Sequence, residues 1–230
     1  MSSSPMQQPH QDALDLFLQQ AKRHQFSKKS LIIHAGETAQ SIYYLVEGCV
    51  AVYIEDEQGR EMIVSYLNKG DFFGEMGLFD EISQRSAWVR AKTDCVLAEV
   101  SYSRFTQLAQ EQHILWFLLG NQLARRLRAT TERVGDLAFL DVTGRIARIL
   151  IELAKQPDAI THPEGMLVRM TRQEIAQLVG CSREMAGRVL KDLEEKGLIE
   201  ADGKSLVILD PSLRPAYPSA KTNSNPPTGR

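Results

Sequence analysis

The chain has 230 residues and a formal net charge of −2, with 43% hydrophobic and 24% charged residues. That balance describes a folded protein of one large or two smaller domains and argues against one that coats a polyanion along its whole length. Three widely separated cysteines, Cys49, Cys95 and Cys181, include no Cys-x-x-Cys pair, which disfavours disulfide frameworks, zinc ribbons and iron–sulfur ligation.

The opening segment, MSSSPMQQPHQD, is polar and has no apolar signal core. No apolar run reaches the roughly 18 residues of a membrane span. A cytoplasmic protein that avoids membranes is expected, with residues 1–20 as an N-terminal extension. From about residue 28 to 100 the runs SLIIHAG, SIYYLVEGCVAVYIEDEQGR, EMIVSYLNKGDFFGE and DCVLAEV are short, rich in Val, Ile and Tyr, and punctuated by glycines. Such spacing predicts a small antiparallel barrel or jelly roll, with EDEQGRE as a hairpin turn.

After SYSRFTQLAQ the pattern becomes helical. Trp116, Gly120, Leu123, Leu127, Thr130, Val134 and Leu137 follow alternating steps of four and three, as in a coiled-coil seam between two subunits. A single helix packed on its own domain is the competing reading. The length of the seam and the polar Thr130, beside Thr131, favour a homodimer. Asp141 is placed to cap the next helix, VTGRIARILIELAKQ. The break at Phe139–Asp141 is therefore the expected domain boundary and hinge. PDAITHPEG reads as a turn-rich loop, and the Pro-, Ser- and Asn-rich stretch 210–230 as a disordered tail.

The stretch MTRQEIAQLVGCSREMAGRVLKDLEEKGLIEADGKSLVIL is the most specific. Thr171 and Glu174 form a Thr-x-x-Glu capping box. Gly180 stops that helix, Ser182 starts a second, and Asp202-Gly203 marks a tight hairpin. Helix, turn, helix and wing make a winged helix-turn-helix. Residues 169–191 hold five basic and two acidic residues, whereas residues 1–110 hold 10 basic and 14 acidic, so positive charge gathers at this element. Arg183, Glu184 and Arg188 project early from the second helix as base readers for double-stranded DNA. Thr171, Arg172, Gln173, Ser182, Lys191 and Lys204 suit phosphate contacts. The competing reading is an amphipathic helical hairpin with a solvated charged face.

A second constellation lies in GEMGLFDEISQRSAWVR. A cyclic nucleotide presents a phosphate, a ribose hydroxyl and a base. A glycine turn admits backbone N–H groups to phosphate, a guanidinium forks its oxygens, and a carboxylate accepts from the hydroxyl. Gly74, Glu75, Arg85 and Ser86 supply those parts, against the plainer reading of a loop ion pair.

With GDFFGEMGLF, RSAWVRAK, LAFLDVTGRIAR, AKQPDAITHPEGM and TRQEIAQLVGCSRE in view, the chain resembles the cyclic-AMP receptor protein branch of the Crp–Fnr transcription regulators over roughly residues 20–209. EMAGRVLK is similar to the virulence-factor-regulator type. The resemblance implies an α+β chain. A β-roll of the double-stranded β-helix, jelly-roll-like kind (21–110) binds cAMP as effector, with no metal. A dimerisation helix (111–139) and a winged helix-turn-helix (140–209) follow, and the dimer reads palindromic DNA. It implies that Gly74 and Glu75 approach the ribose and phosphate, that Arg85 and Ser86 hold the phosphate, and that Arg126 and Thr130 line the pocket. Thr131, where the family usually has serine, meets the adenine amino group from the partner subunit. The resemblance also implies RNA polymerase as a partner, through Thr161, His162 and Gly165, with a second patch at Lys22, His24 and Arg104. No catalytic signature is present, so an enzyme is not expected. A cyclic-nucleotide module acting on a protein partner, and a Crp–Fnr regulator answering another effector, are the alternatives.

Overall fold

A computed structural model describes residues 8–79, 84–156 and 158–209. The expected tail at 210–230 lies outside the described residues. The chain divides into two compact units between Asp141 and Val142.

The first unit opens with helix α1 (Gln8–Gln20). The segment expected as an extension is from here a packed element, because Ala13 and Phe17 are fully buried. Eight strands follow: β1 (Lys22–Phe26), β2 (Leu31–Ile33), β3 (Ser41–Glu47), β4 (Cys49–Glu55), β5 (Glu61–Asn68), β6 (Phe72–Phe73), β7 (Trp88–Ala91) and β8 (Cys95–Ser101). They build two four-stranded antiparallel sheets, ordered β1-β8-β3-β6 and β2-β7-β4-β5. Ile33, Leu45, Val50, Phe73, Val89 and Leu97 fill one core cluster between them. The alternation of small apolar residues along these strands therefore yields a two-sheet roll. β4 and β5 form the hairpin expected at EDEQGRE. Asp56 closes it by accepting from the Gln58 and Arg60 amides, both at 3.0 Å.

Helix α2 (Tyr102–Glu111) starts at Ser101, whose hydroxyl accepts from the Arg104 amide. Helix α3 (Ile114–Phe139) runs 26 residues, about 39 Å at 1.5 Å per residue. Phe17 packs edge-on against Phe72 at 5.2 Å, and Phe105 against Trp116 at the same distance, so α1, β6, α2 and α3 share one aromatic core. Trp116 and Leu123 of the expected seam pack into this core. Leu127, Val134 and Leu137 are instead 69%, 61% and 47% exposed. Periodicity reports only that a face is apolar. Near the start of α3 that face meets its own subunit, and beyond Arg126 it stands uncovered within one chain.

The second unit comprises α4 (Val142–Ala154), β9 (Ile160–His162), β10 (Gly165–Arg169), α5 (Arg172–Val179), α6 (Arg183–Glu195), β11 (Ile199–Asp202) and β12 (Ser205–Leu209). The strands form one antiparallel sheet, β11-β12-β10-β9. The stretch read as a turn-rich loop is largely the β9–β10 hairpin. Pro163 and Glu164 are its turn, and the pairing partner of β10, β12, lies some forty residues further along the chain, beyond the reach of a local pattern. A Cβ added to Gly165 would lie 1.9 Å from the Ile208 carbonyl oxygen. This glycine is required by close strand approach, and it is buried.

Candidate effector site and reading head

The roll site is built where β6 ends and the chain turns into a short 3₁₀ segment, Met76–Leu78. Gly74 has φ +76°, and a Cβ there would sit 2.6 Å from Arg85 Nη1. Both the left-handed backbone and the close guanidinium exclude a side chain at this position.

Arg85 is half-buried in a socket of oxygens. Nη1 donates to the Gly74 carbonyl at 2.8 Å and to the Tyr102 hydroxyl at 3.2 Å, and Nη2 donates to the Ser41 carbonyl at 2.9 Å. The rings of Tyr43 and Tyr102 flank it at 5.6 and 6.0 Å. Among the described residues no carboxylate pairs with Arg85, and Nε has no partner. The cation is thus fixed by main-chain dipoles with no described carboxylate to neutralise it, which makes the socket an attractor for an anion. Burial pushes the Tyr102 hydroxyl above its ordinary value, against the pull of Arg85, so it stays protonated and donates to the Gly74 carbonyl.

The loop ion pair of the competing reading does not form among the described residues, and Glu75 pairs elsewhere. Glu75, 7% exposed, faces Arg126 of α3 at 3.5 Å. Arg126 also lies 3.8 Å from Asp71 and donates to the Phe72 carbonyl. Gly74, Glu75, Arg85 and Arg126 therefore come together. Ser86 is exposed beside them, its hydroxyl 3.0 Å from the Met76 sulfur. Thr130 and Thr131 are exposed further along α3, and the Thr131 hydroxyl donates to the Leu127 carbonyl at 2.9 Å. Ser41, Tyr43, Tyr102 and Gln122 belong to the site and were not singled out in the sequence. They come from β3, the head of α2 and the middle of α3, and no local motif marks any of them.

In the second unit the local motifs take the geometry their spacing demands. The Thr171 oxygen accepts from the Glu174 amide at 3.1 Å, while the Thr171 amide and hydroxyl both donate to Glu174 Oε2 at 2.8 Å. That hydroxyl is committed to the cap, which leaves Arg172 and Gln173, both exposed, as the outward groups of this turn. Gly180 ends α5 in a left-handed conformation, and Ser182 caps α6 by accepting from the Met185 amide. Arg183 is exposed at the first position of α6. Glu184 and Arg188 pair at 3.2 Å with side chains 81% and 64% exposed, and Lys191 meets Glu195 at 3.6 Å. Lys204 is exposed in the turn between β11 and β12. Thr161 is exposed and His162 half-buried on β9, whereas Gly165 offers no surface. Phe139, 87% exposed, ends α3, and Asp141 is exposed between α3 and α4.

No helix among the described residues is long and apolar enough to cross a membrane. No group of three or more His, Cys, Asp or Glu among them is placed to hold a metal ion.

Comparison with known proteins adds family matches, relatives and a structural neighbour. Residues 23–112 match the cyclic nucleotide-binding domain model, and residues 144–213 match the Crp-like helix-turn-helix domain model. The chain is 58% identical to the cAMP-activated global transcriptional regulator CRP of Escherichia coli O157:H7 over 195 residues, 85% of this chain and 93% of that one. It is 54% identical to the cAMP-activated global transcriptional regulator Vfr of Pseudomonas aeruginosa, over 85% and 92% of the two chains. Among solved structures, the c-di-GMP responsive global regulator CLP of Xanthomonas campestris superposes with a TM-score of 0.83 at 42% identity, covering 87% of this chain and 99% of that one.

Proposed function

Because the chain belongs to the Crp family of transcription regulators, we propose that it is a cytoplasmic, homodimeric regulator that takes cAMP in the roll and reads a palindromic DNA site through α6. It is a regulator and not an enzyme. The observation that carries the effector assignment is the Arg85 guanidinium fixed at the Gly74 turn, paired to no carboxylate among the described residues and one residue from a carboxylate tied to α3. Phosphate oxygens take the Arg85 Nε–H and the hydroxyl of Ser86. The ribose hydroxyl donates to Glu75, and this competes with Arg126 for the same carboxylate.

Thr130 and Thr131 lie on the exposed stretch of α3 that carries Leu127 and Val134, and pairing of two such helices covers that stripe. Thr131 of the partner subunit then meets the base. Its hydroxyl hydrogen is held by Leu127, so its lone pairs face outward. They suit an exocyclic amino group, such as that of adenine, and offer nothing to the carbonyl of guanine. Arg183, Glu184 and Arg188 read base edges, while Arg172, Gln173, Ser182, Lys191 and Lys204 hold phosphates. Thr161 and His162 form the surface for RNA polymerase, with Gly165 shaping the hairpin beneath them. Phe139–Asp141 is the hinge.

The Xanthomonas relative's c-di-GMP response supports a second reading, in which the same scaffold answers a cyclic dinucleotide. Calorimetric titration of the purified protein with cAMP, cGMP and c-di-GMP, paired with operator binding in the presence of each, separates the two. Tight cAMP binding that strengthens DNA binding is expected, with cGMP weaker. Equal DNA affinity with and without cAMP would overturn the assignment.

A further inference from the structure

Resting on the reading of the roll as the effector site, we propose that α3 clamps the open edges of both sheets, and that Arg133 is the positioning residue that ties the β5 edge to the ligand turn.

β6 and β5 are the terminal strands of their sheets, and an edge strand presents unpaired main-chain groups. At β6 two side chains of α3 take the place of a further strand. The Phe72 amide donates to Gln122 Oε1 at 2.8 Å, and the Phe72 carbonyl accepts from Arg126. Gln122 Nε2 also donates to the Gly70 carbonyl at 2.9 Å. Gln122 is 8% exposed, so both ends of a buried carboxamide are used on the main chain that leads into Gly74 and Glu75.

The β5 edge is met differently. Its register against β4 runs Val52 with Ser65, then Tyr53 with Ile63, so Val64 is passed over as a bulge. Successive carbonyls of a regular strand point to opposite sides. The bulge turns two of them to one side, and Arg133 Nη1 donates to both Ile63 O, at 3.2 Å, and Val64 O.

Residues 122, 126 and 133 are spaced by four and seven, which places them within about 40° of one another on the helix. The exposed Leu127 and Val134 lie roughly 100° away around α3. Arg126 sits between the two ends of the clamp and holds Glu75. A ligand that draws Glu75 from Arg126 shifts the grip of α3 on β6. Arg133 carries that shift to β5, 11 residues or about 16 Å further along the helix. The β4–β5 hairpin then follows effector occupancy, although it supplies none of the ligand contacts assigned above.

Hydrogen exchange of the full-length protein, followed by mass spectrometry at residues 61–68 and 70–75, tests this. Without effector, Arg133→Ala is expected to speed exchange at 61–68 about tenfold and at 70–75 at least threefold, although the two carbonyls that Arg133 is seen to hold, Ile63 and Val64, lie within 61–68. Arg133→Lys, which reaches one carbonyl, gives smaller increases at both segments. A rise confined to 61–68 in these variants overturns the proposal, as does no rise at either. Should the alanine variant fail to fold, the lysine variant decides by the same criterion. With cAMP added, the wild-type protein is expected to gain protection at both segments and Arg133→Ala only at 70–75. If cAMP protects neither segment in the wild type, the effector reading falls while the effector-free comparison still decides the clamp.

Discussion

In the roll, Arg85 and Arg126 are half-buried and held on main-chain oxygens, whereas in the reading head Arg183, Arg188 and Lys191 stand in solvent, tied at most to a carboxylate one turn away. Under the proposed function, the difference follows from the two ligands. A small anion must be met by groups already in place, because it has few atoms with which to offset the cost of ordering them. A long polyanion supplies many contacts, and its grooves admit side chains that adjust on arrival. In that reading, charge in the roll sets whether a ligand binds at all, while charge in the head grades how well one sequence binds relative to another.

The strongest way to break this contrast is Arg85→Leu. It removes the fixed cation, and a fall in cAMP affinity of about a hundredfold or more is expected by calorimetry, with the protein still folded by circular dichroism. A loss below about fivefold would show that the socket is not preorganised. Arg183→Ala should instead cost about 1–3 kcal/mol at one base pair and relax discrimination there, as read by competition band shifts against sites mutated one pair at a time. Thr171→Ala tests the committed cap. It should lower stability by about 1 kcal/mol in denaturant titration, while the salt dependence of DNA binding stays as it was. Lys191→Ala, at an exposed position, should weaken all sequences alike and reduce the slope of log affinity against log salt by about one.

The smallest effect concerns Glu99 on β8. Burial raises its carboxyl, but bonds from Ser41, Tyr43 and His24 outweigh that and hold it below the ordinary value of 4.5. A depressed folded-state value stabilises the protein above pH 4.5, and that contribution is lost as the pH falls through the folded-state value. Glu99→Gln should therefore melt with a shallower decline than wild type on the acid side of pH 4.5. Parallel curves would show that the carboxylate carries no such linkage.

The same contrast explains what could be read from the chain without coordinates. The head is written in short-range chemistry. A capping box, a glycine stop and a second N-cap fall within twelve residues, and each takes the geometry its spacing demands. The roll is written across long separations. Gly74, Glu75 and Arg85 lie in one stretch and could be proposed together. Tyr102 and Ser41 reach the same point from strand and helix ends that carry no distinguishing pattern. Glu75 was open to pairing with Arg85 in sequence, and only the fold shows that it turns to Arg126 on α3. The β9–β10 hairpin was missed for a related reason, since its strand partner β12 arrives last in the chain. Helix α1 escaped notice because its apolar face is narrow and lies in a polar segment.

That first helix has a consequence for how the protein is made. Phe17 packs edge-on against Phe105, 88 residues later (105 − 17), and ribosomes add about 5–20 residues per second. Tyr44 and Phe72 can cover Phe17 sooner, but for roughly 4–18 seconds after the helix emerges its aromatic pocket lacks the Phe105 wall. Slowing translation before codon 105 should therefore lengthen the interval in which this helix is open to proteases.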